Sequence, residues 1–260
     1  MTNIKQSVTD PKRKKNLLNV KLIKREDITN DLLKIWIEKP NGYTFKPGQY
    51  CTIGINGIER AYSIVSAPYE KNIELFVELV PENEGGALTP LIWKLSPDDP
   101  ITIRPRAKGI FVFNDQWQNH LLLATVTGVV PYVSFIRDYI KKIENHEVKN
   151  DRHKMHVLMG ASYLDEFSYD EELKSAALKY PDLVAFVPSV SRPNESKNSD
   201  WSGTTGRVNM LVRDYANDNS LSPNDTLIYA CGHPGMIEDV KEKMIPLGFT
   251  IDEERFWKED

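Results

Sequence analysis

The chain has 260 residues, 40% hydrophobic, 10% aromatic and 27% charged, the composition of an ordinary globular protein with room for two domains. With only two cysteines, Cys51 and Cys231, it has no disulfide framework and carries no four-cysteine zinc or iron–sulfur site by itself. A formal net charge of −4 makes no general case for nucleic-acid binding.

The opening MTNIKQSVTD lacks the apolar core of a secretory signal. The longest apolar stretch, Leu121 to Ile136, is broken by Thr125, Thr127, Gly128 and Pro131 and falls short of the roughly 20 residues that a membrane helix needs. A cytoplasmic protein without membrane insertion is therefore expected. Residues 1–15 read as a basic extension: Lys5, Lys12, Arg13, Lys14 and Lys15, followed by Lys21, Lys24 and Arg25, face only Asp10. Such a run is either a solvated terminus or a docking patch for an acidic partner.

From Asn16 to Phe113 the sequence runs as short β-branched and aromatic segments: LLNVKLIKRE, LLKIWIE, YCTIGI, RAYSIVS, IELFVELV and ITIRP. Turn formers separate them, PNG at 40–42, KPG at 46–48, ING at 55–57 and SPDD at 96–99, which predicts an antiparallel barrel or sandwich. One segment, Ala87 to Leu95, reads as a helix within the strand series. After Phe113 the rhythm becomes strand then helix. HLLLATV precedes VSFIRDYIKKI, HKMHVLMG precedes SYDEELKSAALKY, DLVAFVP precedes GRVNMLVRDYA, and TLIYACG precedes PGMIEDVKEKMIPLG. That alternation predicts a parallel sheet covered by helices, with ligands bound beyond the carboxyl ends of its strands. The expected domains are residues 16–116 and 117–260.

The turn after the first strand of the second half, Ala124 to Pro131, combines a strand end, Thr127-Gly128 and a helix start. Unpaired N–H groups and the positive helix end suit a phosphate there, although an ordinary strand-to-helix turn has the same look.

Arg60-Ala61-Tyr62-Ser63 closely resembles the flavin-binding R-x-Y-S motif of the ferredoxin–NADP reductase family. Gly85-Gly86-Ala87-Leu88-Thr89 resembles that family's G-x-x-S/T turn, Ala124 to Ser134 its nicotinamide-phosphate loop, and Tyr229-Ala230-Cys231-Gly232-His233-Pro234 its C-G-x-P loop. Glu253-Glu254-Arg255-Phe256-Trp257 is similar to the acidic–aromatic tails with which such reductases cover the flavin. The resemblance runs in order from Gly48-Gln49 to Trp257 and is nearest to the bacterial type.

It implies a six-stranded antiparallel Greek-key flavin-binding barrel followed by a five-stranded parallel nucleotide-binding domain. It implies FAD as cofactor, NADP(H) as substrate, and ferredoxin or flavodoxin as electron carrier. Tyr62, Ser63, Cys231 and Glu254 are the implied catalytic residues. Tyr62 would stack on the flavin with Ser63 near N5, while Arg60, Ala61, Gly86, Ala87, Leu88 and Thr89 hold the cofactor with its phosphates. Thr127, Gly128, Cys231 and Gly232 would hold the nicotinamide side, with Ser191, Arg192 and Arg207 on the 2′-phosphate and Phe256 or Trp257 over the flavin.

Two departures stand out. Val126 and Val130 replace a glycine and an alanine of the phosphate loop, and β-branched residues suit poorly a position needing φ > 0 or close backbone approach. Ser162 stands where many bacterial relatives place an arginine. The competing readings are the NAD(P)H-dependent reductase component of an oxygenase system and a flavin-binding electron-transfer subunit with impaired nucleotide binding.

Overall fold

A computed structural model describes residues 17–149 and 152–255. In the first half, β1 (Leu18–Asp27), β2 (Leu32–Glu38), β3 (Tyr50–Ile55), β4 (Ile58–Ser63), β5 (Asn72–Glu78) and β6 (Pro100–Ile103) form one antiparallel sheet in the order β4-β3-β6-β1-β2-β5. Just beyond β4 the Val65 N–H donates to the Glu74 carbonyl at 3.0 Å, which brings the two ends of the sheet together as a nearly closed barrel. Val20, Leu22, Leu33, Ile35, Ile37, Cys51, Ile53, Leu75 and Val77 fill it. The β3–β4 hairpin turns on Asn56 and Gly57, both at positive φ (51° and 82°), the two-residue geometry that matches strand twist. This turn sets Tyr62 opposite Cys51 and Ser63 opposite Tyr50. A slip of one residue would exchange the faces of Tyr62 and Ser63.

The expected helix over Ala87 to Leu95 is shorter, α1 (Thr89–Ile92). Pro90 stands in its first turn, and Leu88 and Ile92 are drawn into the barrel core.

The second half alternates β7 (Asn119–Thr125), α2 (Val130–Glu144), β8 (Lys154–Ala161), α3 (Asp170–Lys179), β9 (Val184–Val190), β10 (Thr204–Thr205), α4 (Val208–Asp218), β11 (Thr226–Gly232), α5 (Pro234–Met244) and β12 (Thr250–Arg255). Its sheet is parallel throughout, ordered β10-β9-β8-β7-β11-β12. Six strands thus stand where five were expected, the addition being the two-residue β10 at the β9 edge. Both faces are covered, so the central strands are nearly continuous apolar runs. Leu122 and Ala124 pack with α2 residues such as Tyr132 and Phe135, whereas Leu121 and Leu123 pack with Val212 and Val240 of α4 and α5. The first of these cores also takes in Leu32, Val65, Phe76 and Phe111 of the barrel half, so the two sheets share an apolar seam. No helix among the described residues is long and apolar enough to cross a membrane.

Candidate functional site

The carboxyl ends of the parallel strands open onto a cavity of about 670 Å³. It lies where the chain reverses direction across the sheet, β8 on one side of β7 and β11 on the other, the usual crevice for ligands in open α/β sheets. Thr127, Ser191, Arg192 and Arg207 line it, together with Val126 and Ser162. Thr125, Asn209, His233, Gly235 and Asp239 line it too; Thr125 and His233 fall within the two loops named in the sequence, whereas no motif had singled out Asn209, Gly235 or Asp239. Thr125 ends β7, Asn209 lies in the first turn of α4, and His233 caps α5. Applying the strand-end rule at every β-to-α junction would have found Asn209 and Gly235, but not Asp239, which lies in the second turn of α5.

The walls are hydrogen-bonded before any ligand arrives. Thr125 Oγ1 accepts from the His233 N–H at 2.9 Å, and His233 Nδ1 accepts from the Gly235 N–H at 3.0 Å. Asn209 Nδ2 donates to Asp239 at 2.6 Å. At the rim, Arg192 Nη1 donates to the Tyr163 hydroxyl at 2.7 Å, which in turn donates to Glu195 at 2.6 Å. The arginine is thereby oriented while staying half-exposed.

The loop from β7 into α2 is strained. Val126 sits at φ +41°, in the left-handed region that disfavours a β-branched side chain. Gly128 packs so tightly that a Cβ there would lie 2.1 Å from the Cys231 carbonyl oxygen. The turns after β7 and β11 therefore touch.

On the barrel side, β4 is the terminal strand of its sheet and, among the described residues, pairs along one edge only. Arg60 is exposed, and its Nη1 donates to its neighbour's carbonyl, Glu59 O, at 2.8 Å. Tyr62 is half-buried, and that burial lifts its phenol above the ordinary range. The Ser63 hydroxyl donates to Glu254 Oε2 at 3.0 Å, across the seam between the two sheets. Glu254 lies in register beside Cys231 on the adjacent strand. Burial raises the Glu254 carboxyl to about 7, the Ser63 hydrogen bond pulling the other way. Cys231 is fully buried, and burial followed by the nearby Glu254 pushes its thiol well up.

Ser63, Glu254, Cys231, Gly232 and Gly128 are thus gathered in one place. Gly86 to Thr89 form a separate turn. A Cβ on Gly86 would meet the Val80 carbonyl oxygen at 1.7 Å. The Thr89 hydroxyl donates to that carbonyl at 2.9 Å and accepts from the Val80 N–H at 3.0 Å. Its proton therefore holds the turn to the end of β5, while Ala87 beside it is exposed. Phe256 and Trp257, expected over the flavin, lie outside the described residues, as does the basic run 1–16. Within the described part of that basic stretch, Lys21, Lys24 and Arg25 are paired with Asp98, Glu26 and Asp27.

Residues 122–242 match the oxidoreductase NAD-binding domain family. A ferredoxin–NADP reductase of Pseudomonas aeruginosa is 30% identical over 223 residues, spanning 81% of this chain and 82% of that protein. The chain belongs to the ferredoxin–NADP reductase family. A flavodoxin/ferredoxin–NADP reductase of Buchnera aphidicola is 27% identical over 239 residues, covering 88% of this chain and 90% of that one. One component of the Na(+)-translocating NADH-quinone reductase from Neisseria meningitidis is 29% identical over 82% of this chain, which spans about half (51%) of that protein. The crystal structure of a ferredoxin NADP+ reductase from Neisseria gonorrhoeae with bound FAD and NADP has the same fold. Its TM-score is 0.76 at 23% identity, covering 93% of this chain and 99% of that one.

Proposed function

We propose that this member of the ferredoxin–NADP reductase family is an FAD-dependent enzyme that passes electrons between NADPH and a one-electron carrier protein, ferredoxin or flavodoxin. The observation that carries the reading is the convergence of Ser63 and Glu254 from opposite sheets at 3.0 Å, with Cys231 in register beside Glu254 and the Gly128 loop against its carbonyl.

The residues present fit a flavin. The unpaired edge of β4, the half-buried Tyr62 ring and the exposed Arg60 guanidinium form a donor set for an aromatic ring with an attached diphosphate. Flavin bound there supplies the exchange between a two-electron hydride donor and one-electron carriers. Tyr62 would cover the ring, and the Ser63 hydroxyl, its one proton given to Glu254, would hold that carboxyl at the ring's polar edge. Glu254, lifted to about 7 by burial, would hold or release a proton at its Oε2 near working pH. Cys231 and Gly232, backed by Gly128, would seat the nicotinamide, while Ser191, Arg192 and Arg207 supply a hydroxyl and two guanidinium groups for a 2′-phosphate.

Purified chain should bind FAD and turn yellow, and mixing with NADPH should bleach it within seconds. A protein that takes up no FAD overturns the reading. The second reading, an NADH-dependent reductase component, draws on Glu195, whose carboxylate lies 3.6 Å from Arg192 and competes with a phosphate for it. Turnover with NADPH against NADH, followed by reduction of candidate carriers, separates the two.

A further inference from the structure

The seam between the sheets contains a buried ionic cluster far more elaborate than joining two apolar surfaces requires. Arg137, on α2, has a side chain only 17% exposed. Its Nη1 donates to Glu74 Oε2 at 2.6 Å and reaches Glu70 at 3.4 Å, while Nε and Nη2 grip both oxygens of Glu172 at 2.7 and 2.8 Å. One guanidinium therefore joins α2, the barrel strand β5 and α3. Glu74, 4% exposed, gives its other oxygen to the Tyr169 hydroxyl at 2.8 Å. Lys34 of the barrel lies 4.0 Å over the Tyr169 ring and donates to the Ser168 carbonyl. Three residues before Arg137, on the same helix face, the buried Ser134 hydroxyl donates to the Ser66 carbonyl at 2.8 Å.

The ends of this linkage matter. Glu74 accepts at its backbone carbonyl from Val65, two residues beyond Ser63, at 3.0 Å. Arg137 lies on the helix that begins directly after Thr127-Gly128. An apolar seam is non-directional and leaves sliding of one sheet over the other cheap, whereas a guanidinium fork on carboxylates fixes both distance and angle. Replacing a buried ion pair by apolar groups is commonly neutral or stabilising, so net stability is a poor account of this cluster and register a better one.

We propose that Arg137 is a positioning residue for hydride transfer: through Glu74 it fixes the Thr127-Gly128 loop and the nicotinamide site against the strand that carries Tyr62 and Ser63. The proposal rests on the NADPH–flavin reading above. Misplacing reacting atoms by about 1 Å can cost on the order of 100-fold in rate.

The test uses the flavin-loaded full chain in single-turnover mixing with NADPH. Arg137→Met with Glu74→Gln removes the two most buried charges of these ion pairs together, leaving only the more exposed carboxylates Glu70 and Glu172 without their guanidinium, and Arg137→Lys keeps the charge without the fork. The double variant should bind flavin and 2′-phospho-AMP within about threefold of wild type while its reduction rate falls roughly 10- to 100-fold. Arg137→Lys should fall between the two, and the isotope effect with NADPH deuterated at C4 should grow in both. A folded double variant reduced at the wild-type rate overturns the proposal, as does a rate loss matched by equal losses of flavin or 2′-phospho-AMP binding. If the double variant does not fold, the rate and isotope effect of Arg137→Lys decide the matter alone. Wild-type protein that NADPH does not reduce defeats the functional reading instead, a result distinct from either.

Discussion

The Ser63 hydroxyl and the Glu254 carboxylate meet at 3.0 Å from opposite sheets of the molecule, and the two groups oppose each other in setting one proton equilibrium. Burial lifts Glu254 from 4.5 to about 7, and the hydrogen bond from Ser63 lowers it. Flavin reduction by NADPH should accordingly show an inflection near pH 7 that Glu254→Gln abolishes and Ser63→Ala moves upward. Because the folded value lies above the unfolded one, the associated stability is fully present below about pH 4.5 and is lost as pH rises through 7. Glu254→Gln should flatten that decline, a difference on the order of 3 kcal/mol by pH 8 in denaturant titrations. Identical pH profiles for wild type and Glu254→Gln would refute the assignment.

Val126 stands at φ +41° in the loop facing the nucleotide cavity. Glycine there would relieve a backbone strain of about 1–3 kcal/mol, offset in part by its own conformational freedom and by lost packing of the valine against the core. Val126→Gly should therefore raise unfolding stability by no more than about 1 kcal/mol, and because loss of the side chain lets the loop backbone approach a phosphate more closely, it should tighten NADP binding roughly tenfold, about 1.4 kcal/mol. Val126→Ala keeps a Cβ at the same φ and should recover little. Calorimetric titration with NADP on the three proteins provides the check, and equal affinities for valine and glycine would show that the Val126 side chain does not hold the phosphate off.

Legibility in the sequence followed local chemistry. The Asn56-Gly57 turn announced the hairpin that places Tyr62 and Ser63, and the repeated strand-to-helix junctions announced the cavity. Features that depend on the meeting of the two sheets left no local trace. Lys34 and Glu74 occupy alternate positions in β2 and β5, where a polar residue ordinarily marks the solvent face. Both are buried, because those strands are covered on both sides. β12 was equally hidden: its residues TIDEER form an edge strand whose charges serve Lys241 and Ser63, and no apolar period betrays it. Thr89 has the residue type expected of a phosphate ligand, yet the backbone of Val80 takes its hydroxyl.

Arg192 is held at the cavity rim by Tyr163 and faced by Glu195. With a dianionic 2′-phosphate as the intended occupant, Arg192→Ala should weaken NADPH by about 10- to 100-fold and leave NADH nearly unchanged. Glu195→Gln, which removes the competing carboxylate, should strengthen NADPH selectively. Steady-state kcat/KM for both nucleotides measures this, and equal losses for NADPH and NADH in Arg192→Ala would place the 2′-phosphate elsewhere.

At the opposite end of the parallel strands, His120 begins β7 fully buried, its Nε2 3.3 Å from His153 Nδ1, which lies 2.8 Å from the Trp117 carbonyl. The Phe113 ring packs on it at 4.2 Å between centroids, and its Nδ1 has no hydrogen-bond partner among the described residues. Burial, then the neighbouring His153, depresses His120 to about 3, and burial with Lys154 depresses His156 to about 4. These values lie below the unfolded 6.5, so between them the unfolded chain binds more protons. The stability that the neutral rings contribute is complete above pH 6.5 and is lost as pH falls toward 3. His120→Leu, similar in volume and without an orphaned nitrogen, should match wild type within about 1 kcal/mol at pH 8 and exceed it by about 2 kcal/mol at pH 5. Urea midpoints at the two pH values measure the crossover, and a variant less stable than wild type at pH 5 would show that the histidine pair contributes more by packing than it loses by titration.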